Sequence, residues 1–204
     1  LGNKFETGVH YIGSMGPGQT LNRYWKYFGL TDVLELQQLD RDGFDIVGYD
    51  DSEFPLAQGF DNFIERLAPL FPGGRSSLIS YIRRTEEVVS AFPLYNLQLP
   101  DDHREHHYTT HSARDFYQQA SVVRSDPAGI PLSSVLAGNN FLYAGSPLTP
   151  LHVSSLINHS FISGAYRIIG GSDLISRHLV SAVKAQGGTI LTRKEVKTIE
   201  PLGP

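Results

Sequence analysis

Cysteine is absent from this 204-residue sequence. Its absence excludes disulfides, thiolate catalysis and zinc or iron–sulfur sites that use cysteine ligands. The sequence also lacks any run of eighteen or more apolar residues, and its first residues do not form a basic segment followed by an apolar one. We therefore predict neither a transmembrane helix nor a signal peptide, and we expect a cytoplasmic protein.

A strong excess of either charge is lacking too. The formal net charge is −4 and the pI is near 6.0, so no bulk attraction for nucleic acid exists, and we expect no nucleic-acid partner. The hydrophobic fraction of 40%, with eleven Phe and ten Tyr, is typical of a globular protein. The chain is long enough to bury a core as one large domain or two small ones.

The glycine-rich segment GSMGPG has the position of a phosphate-binding loop but lacks its spacing. Gly13, Gly16 and Gly18 lie between a predicted strand and a predicted helix. Their order, G-x-x-G-x-G, reverses the dinucleotide-binding fingerprint, and no Lys-Ser/Thr pair follows as in a P-loop. We interpret this segment as a turn. A G-x-S-x-G nucleophile motif is also missing, so nothing indicates a serine hydrolase.

Two clusters of possible metal ligands also lack a full motif. The acidic segment from Asp40 to Asp51 does not have the glycine and glutamate positions of an EF-hand, and Asp42-Gly43 instead predicts a hairpin turn. Four histidines, at positions 103, 106, 107 and 111, could suit zinc or nickel, but no HExxH glutamate accompanies them. We predict a solvated loop there and assign no metal ligand, leaving metal binding by this cluster as an open alternative.

The pattern of apolar residues predicts an α+β fold with a mixed sheet covered by helices. Strands are predicted at the start of the chain, on both sides of Asp42-Gly43, near residue 166 and after Gly188. Helical spacing recurs in segments 21–28, 60–70, 76–92, 112–123, 132–142, 147–163 and 172–187. The stretch 93–111 is the most irregular and polar part of the sequence.

Two blocks near the ends of the chain resemble flavin-dependent oxidoreductases of the phytoene desaturase and retinol saturase type. That family has G-x-x-F-[DE]-x-G-x-H shortly after its flavin-binding start, and later GG-(S)-x-x-L, a helix, GG-x-I and V-x-x-I. The matching residues are Gly2, Phe5, Glu6, Gly8, His10, Gly170, Gly171, Ser172, Gly187, Gly188, Ile190, Val196 and Ile199. The resemblance spans nearly the whole chain, and its two end blocks are the specific part.

The resemblance implies an FAD-dependent parent protein of which this chain is an interior fragment. Such proteins bind the FAD diphosphate through an N-terminal G-x-G-x-x-G unit, which this sequence does not contain, so we expect the fragment alone not to retain FAD. Residues 1–165 would form the substrate-binding portion of an FAD/NAD(P)-binding oxidoreductase. Residues 166–204 would form a strand–helix–strand segment that returns to the FAD-binding domain.

By the same resemblance, the cofactor-binding residues are Glu6, Gly8, His10, Gly170, Gly171 and Val196. Gly8 would let the flavin ring approach the backbone, and Val196 would lie near the adenine. The residues by themselves leave other interpretations open. Gly8 can relieve crowding between strands, His10 can be a satisfied half-buried histidine, and Gly170-Gly171 can be a sharp turn into a helix.

The implied substrate is a long apolar polyene such as a retinoid or carotenoid, and the implied reaction is hydride transfer to or from flavin. Aromatic residues that could line its site are Tyr11, Tyr24, Phe141 and Tyr143, although core packing is the commoner fate of such residues. We assign no catalytic residue. Peripheral membrane contact is expected of the parent. The alternatives are a stand-alone module that binds apolar ligands and a metalloenzyme built on the histidine cluster.

Overall fold

The computed structural model describes residues 8–99, 106–114, 117, 125–139, 145, 146 and 148–200. Its strands are β1 (Ile12–Gly13), β2 (Leu36–Gln38), β3 (Asp45–Tyr49), β4 (Ser52–Leu56) and β5 (Ala165–Ile168). Its helices are α1 (Thr20–Tyr27), α2 (Phe60–Leu67), α3 (Arg75–Ser90), α4 (His106–Thr109), α5 (Leu132–Leu136), α6 (Leu151–Ser163) and α7 (Asp173–Ala185), with a 3₁₀ turn at Ala68–Leu70. The predicted α+β class is confirmed.

The central sheet joins the two ends of the chain. Strand β5 lies between β1 and β2 and is antiparallel to both, with Ile12 opposite Tyr166 and Leu36 opposite Ile168. Among the described residues, the pairings of both sheets are antiparallel, whereas we predicted a mixed sheet. Strand β5 follows helices α2 to α6 in the chain and is antiparallel to both of its neighbours, β1 and β2.

The predicted hairpin at Asp42-Gly43 was wrong. Strand β2 pairs with β5 instead, and the Asp40 carboxylate accepts a hydrogen bond from the Asp42 N–H at 2.8 Å, which turns the chain locally. The observed hairpin joins β3 to β4, with Asp50 and Asp51 as its two-residue turn. Asp50 has a φ of 47°, a conformation that Asp tolerates better than most residues.

Most predicted helices are present. Segments 21–28, 60–70 and 76–92 correspond to α1, α2 with its 3₁₀ turn, and α3, and the closing helix corresponds to α7. The predicted helix at 147–163 begins at Leu151, and the one at 132–142 is described as far as Leu136. Most of the predicted helix at 112–123 lies outside the described residues. No described helix is both long and apolar enough to cross a membrane.

Two hydrophobic clusters meet at β5. The larger one packs α2, α3 and α6 against the β3–β4 hairpin, and the smaller one packs α1 against the sheet around Met15 and Trp25. Ala165 belongs to the larger cluster and Ile168 to the smaller. Strand β5 is therefore held from both sides, and so is the strand β1 that pairs with it.

The last part of the chain packs little against the rest. Helix α7 has no fully buried residue, and residues 181–200 are exposed. The strands predicted after Gly188 are not formed in the described residues up to 200. An extended segment becomes a strand only when another strand pairs with it, and residues 189–200 have no such pairing here.

Candidate functional site: two cavities beside strand β1

The first cavity is a groove of about 520 Å³ where the two glycine-marked blocks meet. It exists because β1 pairs with β5, which brings the residues before β1 next to the residues around and after β5. Its lining is Val9, His10, Tyr11, Ile12, Leu39, Arg167, Ile168, Gly170, Gly171 and Ser172. Both ends of the chain therefore contribute to one concave surface.

The glycine pair makes the turn from β5 into α7. Gly170 has a φ of 90° and Gly171 a φ of 107°, which side chains rarely allow. A Cβ on Gly170 would also lie 3.1 Å from Leu174 Cδ1. The sharp-turn interpretation is therefore sufficient to explain these glycines, and the same turn leaves their backbone at the surface of the groove.

The groove brings together some of the residues predicted to bind the cofactor. His10, Gly170 and Gly171 line it, and His10 is exposed rather than half-buried. Gly8 is exposed just before the groove, and a Cβ added there would meet no heavy atom within 4 Å. Crowding between strands therefore does not explain this glycine. Glu6 lies outside the described residues.

Val196, the remaining predicted cofactor contact, does not line the groove. It is 73% exposed in the segment that follows α7. The groove combines aliphatic side chains with those of His10, Tyr11 and Ser172, and Arg167 supplies an exposed guanidinium. Such a surface suits a flat, partly polar and partly anionic group better than a purely apolar one.

The second cavity is an apolar cleft of about 480 Å³. It is bounded by the start of α1, the segment that follows α3, and α6. Its lining is Ser14, Thr20, Leu21, Tyr24, Phe92, Pro93, Leu94, Tyr95, Leu156 and Ser160. The polar side chains in this lining are all hydroxyls, so the cleft carries no charged side chain.

A hydrogen-bonded set of side chains lies at one end of the cleft. The Tyr95 hydroxyl is 3.0 Å from Nδ1 of His159 and 3.3 Å from Oγ of Ser14. Burial lowers the pKa of His159 to about 4, so its ring is neutral at pH 7. Burial raises the pKa of Tyr95, so the phenol stays protonated. The set is thus uncharged.

Ser14 is held in an unusual backbone conformation at the edge of this set. Its φ is 55°, which is uncommon for residues other than glycine. Its N–H lies 2.8 Å from the carbonyl oxygens of both Ser160 and Gly164, and its own carbonyl accepts from the Asn22 N–H at 3.0 Å. These contacts fix the Ser14 hydroxyl at the cleft, and strain of this kind often accompanies function.

The four aromatic residues predicted to bind substrate have different surroundings. Tyr24 lines the cleft, and its hydroxyl donates to the Leu94 carbonyl at 2.9 Å, linking α1 to the opposite wall. Tyr11 lines the groove rather than the cleft, and its hydroxyl donates to Asp45 at 2.8 Å. Burial and the Asp45 carboxylate raise the pKa of Tyr11. Phe141 and Tyr143 lie outside the described residues.

Sequence reasoning missed the hydrogen-bonded set. Tyr95 falls in the stretch 93–111, which we interpreted as irregular, and His159 falls in the predicted helix 147–163, where no motif marks it. The one available signal was the spacing of His159 and Ser163, which puts both on one face of α6. Contact between that face and Tyr95, 64 residues earlier, depends on tertiary packing.

The histidine cluster gives no metal site in the described part of the chain. His107 and His111 are exposed, and the His107 carbonyl lies 2.6 Å from Nδ1 of His111. No group of three or more possible metal ligands is found among the described residues. His103 and the side chain of His106 lie outside that description.

Comparison with known proteins finds a consistent set of relatives. The chain is 27% identical to all-trans-retinol 13,14-reductase of Macaca fascicularis and of Homo sapiens, and 26% identical to that of Rattus norvegicus. Each alignment covers 97% of this chain and 35% of the relative, so the chain spans about a third of the length of these curated proteins. No protein-family profile and no solved structure matches the chain.

These comparisons confirm the resemblance to the retinol saturase type that the sequence indicated. The similarity extends over almost the whole chain. No matching solved structure adds to the fold described above, which is α+β with two small antiparallel sheets.

Proposed function

We propose that this chain is the substrate-domain part of a flavin-dependent oxidoreductase that acts on a long, apolar, retinoid-like substrate. The observation that carries the proposal is the similarity to retinol 13,14-reductases over 97% of the chain. Because the chain covers only 35% of those proteins, the activity is proposed for a longer protein. On its own, the chain is proposed to lack turnover.

The cofactor proposed is FAD, which supplies hydride transfer when bound. The groove fits one side of a flavin in three respects. Gly8 has open space beside it, part of the wall is aliphatic, and Arg167 offers a cation to an electron-rich ring edge or a phosphate. The diphosphate would be held elsewhere in the longer protein, because G-x-G-x-x-G is absent here.

The predicted cofactor-binding residues then have distinct roles. The absent side chain of Gly8 permits close approach of a planar ring to the backbone. The exposed imidazole of His10 can donate or accept a hydrogen bond at the edge of that ring. The Gly170-Gly171 turn presents backbone rather than side chains to the same space. Val196, on the exposed segment after α7, is proposed to pack against the adenine.

The substrate proposed for the second cavity is the apolar polyene itself. The cleft is apolar over most of its lining and free of charged side chains, which suits a hydrocarbon chain. Strand β1 and the residues beside it contribute to both cavities, since Ile12 lines the groove and Ser14 lines the cleft. Ile12 and Ser14 are two positions apart in the chain, a distance of about 7 Å.

The experiment that tests this function uses the full-length protein. After purification, its flavin absorbance is recorded, the flavin is reduced without oxygen, and all-trans-retinol is added. We expect reoxidation of the flavin together with loss of polyene absorbance. Phytanol, an apolar alcohol without double bonds, serves as the control and should leave the flavin reduced.

Each other result has a definite meaning. A full-length protein that binds no flavin would refute the proposal and favour a module that only binds apolar ligands. A flavoprotein whose reduced flavin is not reoxidised by retinol or carotenoids, and whose oxidised flavin is not reduced by them, would refute the substrate class.

A further inference from the structure

The cleft differs from an ordinary hydrophobic pocket because one end of it is lined by hydroxyl groups. Ser14, Tyr95 and Ser160 all line the cavity, and the hydroxyls of Ser14 and Tyr95 lie 3.3 Å apart. A purely apolar ligand would leave that long contact as it is, whereas a polar end group can make shorter hydrogen bonds to both hydroxyls. Such bonds would offset the end group's loss of hydration, so this end of the cleft suits a polar end group.

The bond between Ser14 and Tyr95 is the one that a ligand can replace. The two oxygens are 3.3 Å apart, and the alternative acceptor of Ser14, the Ser160 carbonyl, is 3.4 Å away. Both distances are long for bonds between oxygen atoms, which are usually about 2.7 to 2.8 Å. By contrast, Tyr95 is held firmly by His159 at 3.0 Å, and the ring of Phe60 packs against His159 at 5.0 Å.

The chemistry of the replacement follows from the donors and acceptors present. A hydroxyl both donates and accepts one hydrogen bond, so it can lie between Ser14 and Tyr95 whichever nitrogen of His159 carries the proton. A carboxylate can only accept, and no charged side chain lines the cleft to offset its loss of hydration. An ether oxygen can accept but cannot donate.

We propose that this cleft binds an apolar chain ending in an uncharged hydroxyl group, and that Tyr95, positioned by His159, selects that end group. The inference deepens the proposed function, on which it rests for the identity of the natural substrate. Binding in the cleft itself requires no flavin. The strained conformation of Ser14 is then the cost of directing a second hydroxyl at the ligand.

The test measures binding to the full-length protein by displacement of the uncharged dye Nile red. The probes are dodecanol, dodecyl methyl ether and dodecanoate, which share one alkyl chain and differ at its end. We expect dodecanol to bind at least about tenfold more tightly than dodecanoate, because an unpaired anion in the cleft is strongly disfavoured. Equal binding of dodecanol and dodecanoate would overturn the inference.

Two variants with a matched control locate the effect. Tyr95→Phe should lower the preference for dodecanol over its methyl ether by about three- to tenfold, the value of one hydrogen bond. Tyr24→Phe removes the same group from another residue of the cleft and should leave that preference unchanged. If Tyr95→Phe leaves the preference intact, or if Tyr24→Phe lowers it equally, the inference is wrong.

Ser14→Gly provides a second route should Tyr95→Phe fail to fold. Glycine accepts a φ of 55° without strain, so this variant removes the hydroxyl and keeps the backbone. It should lower the same preference by about twofold or more. An unchanged preference in Ser14→Gly would contradict the inference. These outcomes are independent of flavin, so a failure here is distinct from a failure of the proposed oxidoreductase.

Discussion

Nδ1 of His159 lies 3.0 Å from the hydroxyl of Tyr95, and burial keeps that imidazole neutral. The contact joins α6 to the segment after α3 at the end of an apolar cleft. Because both side chains are uncharged, the pair can hydrogen-bond a ligand, or hold α6 against the segment after α3, without attracting ions. The same contact makes the stability of the chain depend on pH.

The free energy of unfolding should fall as the pH drops from 6.5 to 4. The pKa of His159 is about 4 in the folded chain and near 6.5 when unfolded, so in this window the unfolded state binds the additional proton. The loss should be about 3 kcal/mol across the window. The described partners of the ring, Tyr95, Ser163 and Phe60, do not titrate there.

Urea unfolding of the 204-residue chain, followed by the fluorescence of its single tryptophan, Trp25, measures this loss. His159→Gln is the control, since it removes the titrating ring. Its stability should fall less steeply than that of the natural chain over the same pH range. Parallel pH profiles for the two proteins would mean that His159 is not the group responsible.

Gly13→Ala should destabilise the chain by about 1 to 3 kcal/mol. A Cβ at this position would lie 2.6 Å from the Ser160 carbonyl carbon and 2.7 Å from its oxygen, so β1 and α6 would have to separate. Gly48→Ala is the matched control, because nothing lies within 4 Å of a Cβ there. Thermal unfolding compares the two, and an equal effect would contradict the close packing of β1 on α6.

Gln58→Leu should destabilise the chain by about 2 to 4 kcal/mol, because it leaves buried backbone groups unpaired. The Gln58 side chain accepts from the Ala165 N–H at 3.0 Å and donates to the carbonyls of Leu39 and Asp40 at 2.8 and 3.0 Å. Gln37→Leu, at an exposed position of β2, should change the stability by less than about 0.5 kcal/mol. Urea unfolding of both variants shows whether the loss of stability comes from the buried hydrogen bonds of Gln58 or from replacing any glutamine by leucine.

The sequence predicted the helices better than it predicted the sheet. Helices such as α1 and α3 follow from local spacing, and glycine at Gly29 ends α1 at a φ of 68°. The partner of β2 could not be found this way. It is β5, about 130 residues later, and the tie between them is made by Gln58, a polar residue with no periodic signature.

The residues of the candidate site also divide into those that the sequence predicted and those that it did not. The resemblance predicted His10, Gly170, Gly171 and Val196 as cofactor contacts, and of these the first three line the groove. It did not find Tyr95, because a lone tyrosine in an irregular segment carries no pattern. The positive φ of Ser14 could not be predicted from the sequence either, since only glycine and asparagine usually signal such a conformation.

The most direct test of the account measures the FAD content of the full-length protein and of two glycine variants. Gly8→Val should lose most of the bound FAD, because valine would occupy the space proposed for the flavin ring. Gly48→Val, at a position equally open in this chain, should retain it. A Gly8→Val protein that keeps its full complement of FAD would contradict the claim that this groove is a wall of the flavin site.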